Sequence, residues 1–188
     1  DIRIRPLGDR AHFMIPIWRD VLRAYGAVEG SRPNCARLMQ EGQCILVYPG
    51  GAREVAKRRG EKYKLLWGNR VGFAKMALEH DAIIVPFATV GGEEMWDIVV
   101  DANDLLASPI GPLVDKLVKR KDFIAPLVKP AGGGPLPKPV KMYFRFEPAI
   151  RMKEFRRVPE DERPKAVAAR TKAAVESALE TLFARRDA

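Results

Sequence analysis

The stretch Gln43-Cys44-Ile45-Leu46-Val47-Tyr48-Pro49-Gly50-Gly51 decides the fold class. From Cys44 to Tyr48 it is continuously apolar, with β-branched residues at Ile45 and Val47. A run apolar on both faces is the pattern of a strand buried in a parallel sheet. Pro49 then removes a backbone donor, and the glycine pair supplies a tight turn. Upstream, Pro33 to Gln40 reads as a short helix, with Ser31 as its cap and Gly42 at its stop. Downstream, Asn69 to His80 reads as a helix carrying Val71, Phe73, Ala74, Ala77 and Leu78, and Ala82 to Phe87 as a second buried strand. Strand, loop, helix and strand in this order form a crossover unit of an α/β domain.

The rest of the chain extends this pattern. Ile2 and Ile4 alternate with arginines, as in a short strand. His12 to Tyr25 reads as one helix, with Phe13, Ile17, Val21 and Leu22 near one face and Gly26 at its stop. Asp101 to Lys121 is helix-prone. Residues 126–139 hold five prolines and three consecutive glycines and read as a loop. Val140 to Phe146 alternates as a strand, and residues 159–188 read as a terminal helix rich in Ala and in charges of both signs. Too little chain follows the Pro/Gly-rich loop to build a second core. The expected fold over 1–188 is therefore a single α/β domain, with a central, largely parallel sheet flanked by helices.

Composition narrows the functional classes. The chain has 188 residues, 47% of them hydrophobic, which is too apolar for a disordered chain. No stretch approaches the roughly 18 uninterrupted apolar residues of a spanning helix. The longest apolar run, Ala82 to Val90, is broken by Pro86 and Thr89. The charged start, Asp1-Ile2-Arg3-Ile4-Arg5, is not a signal peptide. Cys35 and Cys44 form neither a disulfide framework nor a C-x-x-C and read as free thiols in a reducing compartment. With two histidines, a zinc site built from this chain is not expected.

Lys+Arg 33 against Asp+Glu 24 give a net charge of +9, which suits nucleic acid or an anionic membrane surface. Trp18, Trp67 and Trp96 are scattered, and no nucleic-acid module is recognisable. Ile110, Leu113, Val114, Leu117 and Val118 fall at helical spacing beside Lys116, Lys119, Arg120 and Lys121. That pattern fits an interfacial helix or a helix packed on its own core.

The densest chemical signal is Tyr48-Pro49-Gly50-Gly51-Ala52-Arg53-Glu54. In an open parallel sheet, ligands bind beyond the carboxyl ends of the strands. Gly50 and Gly51 let backbone N–H groups approach an anion, and Arg53 offers a planar fork for phosphate or carboxylate. Lys57, Arg58, Arg59, Lys62 and Lys64 follow, opposed locally only by Glu54 and Glu61. A tight turn with a solvated basic loop fits the same composition. Glu93 and Glu94, after Gly91-Gly92, either face the site or lie in a solvated loop.

This segment, continued through Val55 and Lys57-Arg58-Arg59-Gly60-Glu61-Lys62-Tyr63, resembles the third conserved block of the glycerolipid acyltransferase superfamily. Its Pro-Gly-Gly-x-Arg-Glu form is more similar to the diacylglycerol acyltransferase and phytyl ester synthase-like branch than to the lysophosphatidic acid acyltransferases, which usually carry Pro-Glu-Gly-Thr-Arg. Gly26-Ala27-Val28-Glu29-Gly30-Ser31-Arg32 resembles the second block, Ile83-Ile84-Val85-Pro86-Phe87 the fourth, and Arg70 to Ala77 the helix before it. Phe144 to Ile150 is similar to a late strand of the family.

The resemblance implies transfer of a fatty acyl chain from acyl-CoA, or another thioester, to the hydroxyl of a glycerolipid or lipid alcohol. Arg32, Pro49, Gly50, Gly51, Arg53 and Glu54 are the implied substrate-binding residues. No cofactor is implied, acyl-CoA being a co-substrate, and the implied partners are a lipid acceptor and an anionic membrane surface on the cytoplasmic face, not nucleic acid. The family's catalytic His-x-x-x-x-Asp block is missing: five residues after His12 stands Ile17, and five after His80 stands Val85. His12 reads as a surface or structural residue, and His80 as one favoured at a helix end. The first residue is Asp rather than Met, so the dyad is expected upstream of residue 1 and this chain alone is expected to be inactive. A non-catalytic lipid- or acyl-binding module of the same fold is the alternative. A nucleic-acid-binding domain would rest on charge alone.

Overall fold

The computed structural model describes residues 3–55, 57–109, 111–112 and 126–187. The stretch built on Ile110, Leu113, Val114, Leu117 and Val118 lies outside the described residues. The chain divides into two compact units: Asp1–Gly51, Trp67–Val85 and Ala149–Thr171 form the first, and Ala52–Leu66, Pro86–Pro148 and Lys172–Ala188 the second.

The first unit contains the parallel sheet. Strands β1 (Ile4–Gly8), β2 (Val28–Glu29) and β3 (Cys44–Leu46) lie in the order β2-β1-β3. Both pairings are parallel, with Leu7 opposite Val28 and Arg5 opposite Ile45. Helices α1 (Arg10–Phe13) and α2 (Trp18–Ala24) join β1 to β2, and α3 (Arg32–Gln40) joins β2 to β3. Ser31 caps α3, its hydroxyl accepting from the Asn34 N–H at 3.4 Å. Gly42 stops the helix at φ +66°, with Gln43 N–H donating to Leu38 O at 2.9 Å.

Three features differ from the sequence expectation. First, β3 ends at Leu46, and Val47 and Tyr48 are exposed, so the run is not buried on both faces. Among the described residues this sheet has three strands, and β3 lies at its edge. Second, Ala82 to Phe87 is not a strand. Ile84 makes an isolated antiparallel bridge with Ile150, while Ile83 and Val85 are exposed. Pro86 offers no N–H to a ladder, and the strand starts only beyond it. Third, the helix expected over 12–25 is broken between Phe13 and Trp18, where Pro16 lies. Ile17 adopts φ 66°, ψ −55°, and Trp18 N–H donates across it to Pro16 O at 2.7 Å. This is the rarer, strained hand of γ-turn. A β-branched residue held there costs on the order of 1–3 kcal/mol.

The core of the first unit joins Ala74 and Ala77 of α5 (Gly72–Glu79) to Ile150, Met152, Phe155 and Val167. His80 closes α5; its Nε2 is buried and has no hydrogen-bond partner among the described residues.

The second unit holds helix α4 (Ala52–Val55) and two antiparallel ladders. Strand β4 (Phe87–Val90) pairs with β7 (Tyr143–Phe146), and β5 (Trp96–Val100) with β6 (Leu127–Pro130). The strands beyond β3 therefore form separate ladders instead of extending one central parallel sheet, which corrects that part of the expected fold. The start of the 126–139 stretch is strand β6, with Pro130 at its last position, where a missing donor is tolerated. Helix α6 (Ala102–Ala107) is opened by a capping box between Asp101 and Asp104. The terminal helix, α7 (Arg163–Asp187), begins in the first unit and continues into the second from Lys172. Pro164 falls in its first turn, where proline is accepted. Ala88 and Val90 of β4 pack with Ala178, Leu179 and Leu182 of α7, and truncating a side chain as buried as Leu182 costs about 2–5 kcal/mol.

Candidate active site at the carboxyl edge of the parallel sheet

Parallel pairing fixes which loops share an edge. Because β2, β1 and β3 run in one direction, the residues after each strand emerge on the same side. That side carries Gly8-Asp9 after β1, Gly30-Ser31-Arg32 after β2, and Val47 to Gly51 after β3. It is the edge at which ligands bind in open parallel sheets. The backbones come close there: Gly30 N–H donates to Gly8 O at 2.8 Å, and a Cβ on Gly30 would meet that oxygen at 3.3 Å. Arg32, at the start of α3, is exposed and makes no ion pair among the described residues.

Pro49, Gly50 and Gly51 form one turn. Gly51 N–H donates to Tyr48 O at 2.9 Å. Gly51 has φ +56°, a conformation that L side chains rarely adopt, and a Cβ there would stand 3.0 Å from Arg70 Nη1. Gly50 is buried, and its carbonyl accepts a short hydrogen bond from Arg70 Nη1. Arg70, just ahead of α5, thus holds the turn from outside. Sequence reading placed Arg70 in a family-like helix segment and missed this role, because nothing local links it to a carbonyl 20 residues away.

Arg53 and Glu54 lie on α4, in the second unit. Arg53 Nη2 pairs closely with Glu61 Oε1, and Glu61 Oε2 accepts from the Arg58 N–H at 2.7 Å. The hydrogen bond from Arg53 holds the Glu61 carboxyl below its ordinary range, against partial burial.

The neighbouring cations are engaged too. Lys57 pairs with Glu93 at 2.5 Å, Arg58 donates to Asn103 Oδ1 at 2.5 Å, and Arg59 pairs with Asp104 at 2.8 Å. The Arg59 N–H also donates to buried Asp101 at 2.7 Å. Burial pushes the Asp101 carboxyl up, but the N–H groups of Asn103 and Arg59, with the charges of Arg58 and Arg59, outweigh it and leave it below its ordinary range. Lys57 and Arg59 of the loop that reads as basic are therefore met by acids 36 to 45 residues away.

Tyr63 ties this loop down. At φ 60° its N–H donates to Glu93 at 2.9 Å and its hydroxyl to Glu94 at 3.1 Å, while Gly91 N–H donates to that hydroxyl at 2.9 Å. Burial, together with Glu94, pushes the phenol above its ordinary range. Its ring stands edge-on to Phe183 at 5.0 Å, and Arg186 pairs with Glu94 at 2.7 Å. Glu93 and Glu94 are thus bound into this network rather than left in a solvated loop.

The structure brings Pro49, Gly50 and Gly51 together in one turn and puts Arg32 on the same edge of the same unit; Arg53 and Glu54 belong to the second unit. Among the described residues no group of three His, Cys, Asp or Glu is placed to hold a metal ion. No helix among them is long and apolar enough to cross a membrane. Both cysteines are free thiols.

Comparison with known proteins sets these features in a family. The profile of the diacylglycerol acyltransferase family matches residues 2–124, which include all three loops of the carboxyl edge and the Arg53–Glu61 pair. Phytyl ester synthase 1, chloroplastic, of Arabidopsis thaliana is 41% identical over 91 residues, covering 48% of this chain and 13% of that protein. The DGAT1/2-independent enzyme synthesizing storage lipids of Bos taurus is 36% identical over 85 residues, covering 45% of this chain and 25% of that protein. An uncharacterized protein of Mycobacterium leprae is 32% identical over 139 residues, 70% of this chain and 35% of that protein. The chain thus spans well under half the length of these relatives. No solved structure matches it. By the match over residues 2–124, the chain belongs to the diacylglycerol acyltransferase family.

Proposed function

We propose that this chain is part of an acyltransferase that moves a fatty acyl group from acyl-CoA to the hydroxyl of a lipid alcohol at an anionic membrane surface. The observation that carries the reading is the family match across the Gly30–Arg32 and Pro49–Gly51 loops. In this reading the histidine of a His-x-x-x-x-Asp block outside these 188 residues takes the acceptor's hydroxyl proton. The alkoxide oxygen forms the new C–O bond at the thioester carbonyl. The tetrahedral intermediate collapses, the C–S bond breaks, and the thiolate leaves as CoA thiol with that proton. Arg32 and the turn at Gly50 and Gly51 bind a phosphate of the donor or a polar group of the acceptor, with Arg70 fixing the turn. Within the second unit, Arg53, oriented by Glu61, and Glu54 are the residues this reading assigns to substrate binding.

The names of the relatives, a phytyl ester synthase and a storage-lipid enzyme, favour a neutral acceptor over a phosphorylated one. The test is acyl transfer by the full-length protein from labelled acyl-CoA to a panel of diacylglycerol, phytol and lysophosphatidate. Labelled ester from a neutral alcohol is the expected result. Ester formed only from lysophosphatidate overturns the acceptor class, and no ester from any acceptor overturns the transferase reading.

A further inference from the structure

We infer that the segment Met14–Tyr25 is a docking surface for an anionic lipid bilayer. It rests on the proposed function only for the presence of a lipid surface. Within 12 residues, Met14, Ile15, Ile17, Trp18, Val21 and Tyr25 are all exposed, Ile17 at 79% and Tyr25 at 83%. Helix α2 has no buried residue. Trp18, Val21 and Tyr25 stand at i, i+3 and i+7, on one face, with half-buried Leu22 beside them. Arg19, Asp20 and Arg23 take the opposite face. In a helix packed on its own core, the apolar face is the covered one. Here it is left open, with Trp on the apolar side and arginines on the other, the composition of a helix lying in a membrane interface.

A second observation is the backbone at Ile17. The γ-turn holds the most exposed aliphatic side chain of the segment at its apex, in a conformation a β-branched residue avoids. Among the described residues no packing rewards that placement, whereas insertion into hydrocarbon does. The charge selects the occupant. From Arg10 to Tyr25 there are three arginines against one aspartate; Arg19 and Arg23 both pair with Asp20, at 3.1 and 3.9 Å, and exposed Arg10 precedes the apolar side chains, so the stretch stays net positive. An exposed apolar face in a net-positive stretch matches an anionic headgroup layer over acyl chains.

The test is co-sedimentation of the full-length protein with vesicles of phosphatidylcholine alone and of phosphatidylcholine with phosphatidylserine, measured separately from acyl transfer. Binding is expected to the phosphatidylserine vesicles, weakening with salt. Ile17→Gly removes both the apolar apex and the strain. It is expected to weaken vesicle binding by about tenfold while the melting temperature holds or rises. Val21→Asp is expected to weaken binding similarly with unchanged circular dichroism. Wild-type affinity in both folded variants overturns the inference, as does failure of the wild-type chain to bind anionic vesicles. A dimer that both variants dissociate, without vesicle binding, also overturns it and assigns the face to a second copy. Loss of vesicle binding with acyl transfer intact, or the reverse, separates this inference from the proposed function.

Discussion

The guanidinium of Arg70 donates to the carbonyl of Gly50, so the turn after β3 is held by a side chain from just ahead of α5. The turn's own hydrogen bond, from Gly51 to Tyr48, leaves the Gly50 carbonyl to be satisfied from elsewhere. Arg70 therefore acts as a positioning residue for the Pro49–Gly51 backbone. Arg70→Ala is expected to lower kcat/KM of the full-length protein by about tenfold or more, with Arg70→Lys restoring part of it. Unchanged kinetics in a folded Arg70→Ala protein would separate the turn from catalysis.

Arg53 and Glu61 are mutually dependent. Both side chains are mostly buried, so removing one leaves the other's charge without this partner. A double-mutant cycle of Arg53→Ala and Glu61→Ala is expected to show coupling of about 1 kcal/mol in stability. Additive losses would contradict the pairing.

The same carboxylate, with Asp101, sets an acid limit. Both have folded-state pKa values below their unfolded ones. Their contribution is fully present above the unfolded value, about pH 4, and is lost as pH falls through the folded value. The melting temperature is expected to change little from neutral pH down to about 5 and to fall below about 4. Glu61→Gln should flatten part of that fall. An acid limb identical to wild type would remove Glu61 as a contributor.

Gly91 shows why one loop tolerates no side chain. It has φ +116°, and a Cβ would collide with Lys141 O and stand 3.2 Å from Met142 Cα. Its N–H also donates to the Tyr63 hydroxyl. Gly91→Ala is expected to destabilise the protein by about 2 kcal/mol or more, measured by denaturant unfolding. A loss under half that size would mean that the backbone relaxes freely there.

How much of this was legible in the sequence depended on distance along the chain. The cap at Ser31, the stop at Gly42, the turn at Gly50-Gly51 and the parallel strand were readable, because each is set by residues within a few positions. The break at Pro16 was signalled by the proline and overridden by the apolar spacing of Phe13, Ile17 and Val21. Those residues were read as one face of a continuous helix, and of them Ile17 and Val21 are exposed. The basic loop read as free cation because its partners, Glu93, Asp101, Asn103 and Asp104, come from elements the local composition cannot see. The Arg70–Gly50 contact was hidden for the same reason. The β5–β6 ladder was missed because proline and glycine density outweighed Leu127 and Val128.

In the proposed function, the carboxyl edge of the β2-β1-β3 sheet binds the substrates of acyl transfer. The most direct measurement is the steady-state kinetics of the full-length protein and its Arg32→Ala variant, with acyl-CoA and acceptor varied in turn. Arg32 is exposed and outside the core, so the variant should fold as wild type does. The expected result is a rise of about tenfold in KM for one of the two substrates, as for loss of a charge-assisted contact. Unchanged KM for both, with unchanged kcat, would contradict the placement of the site on this edge.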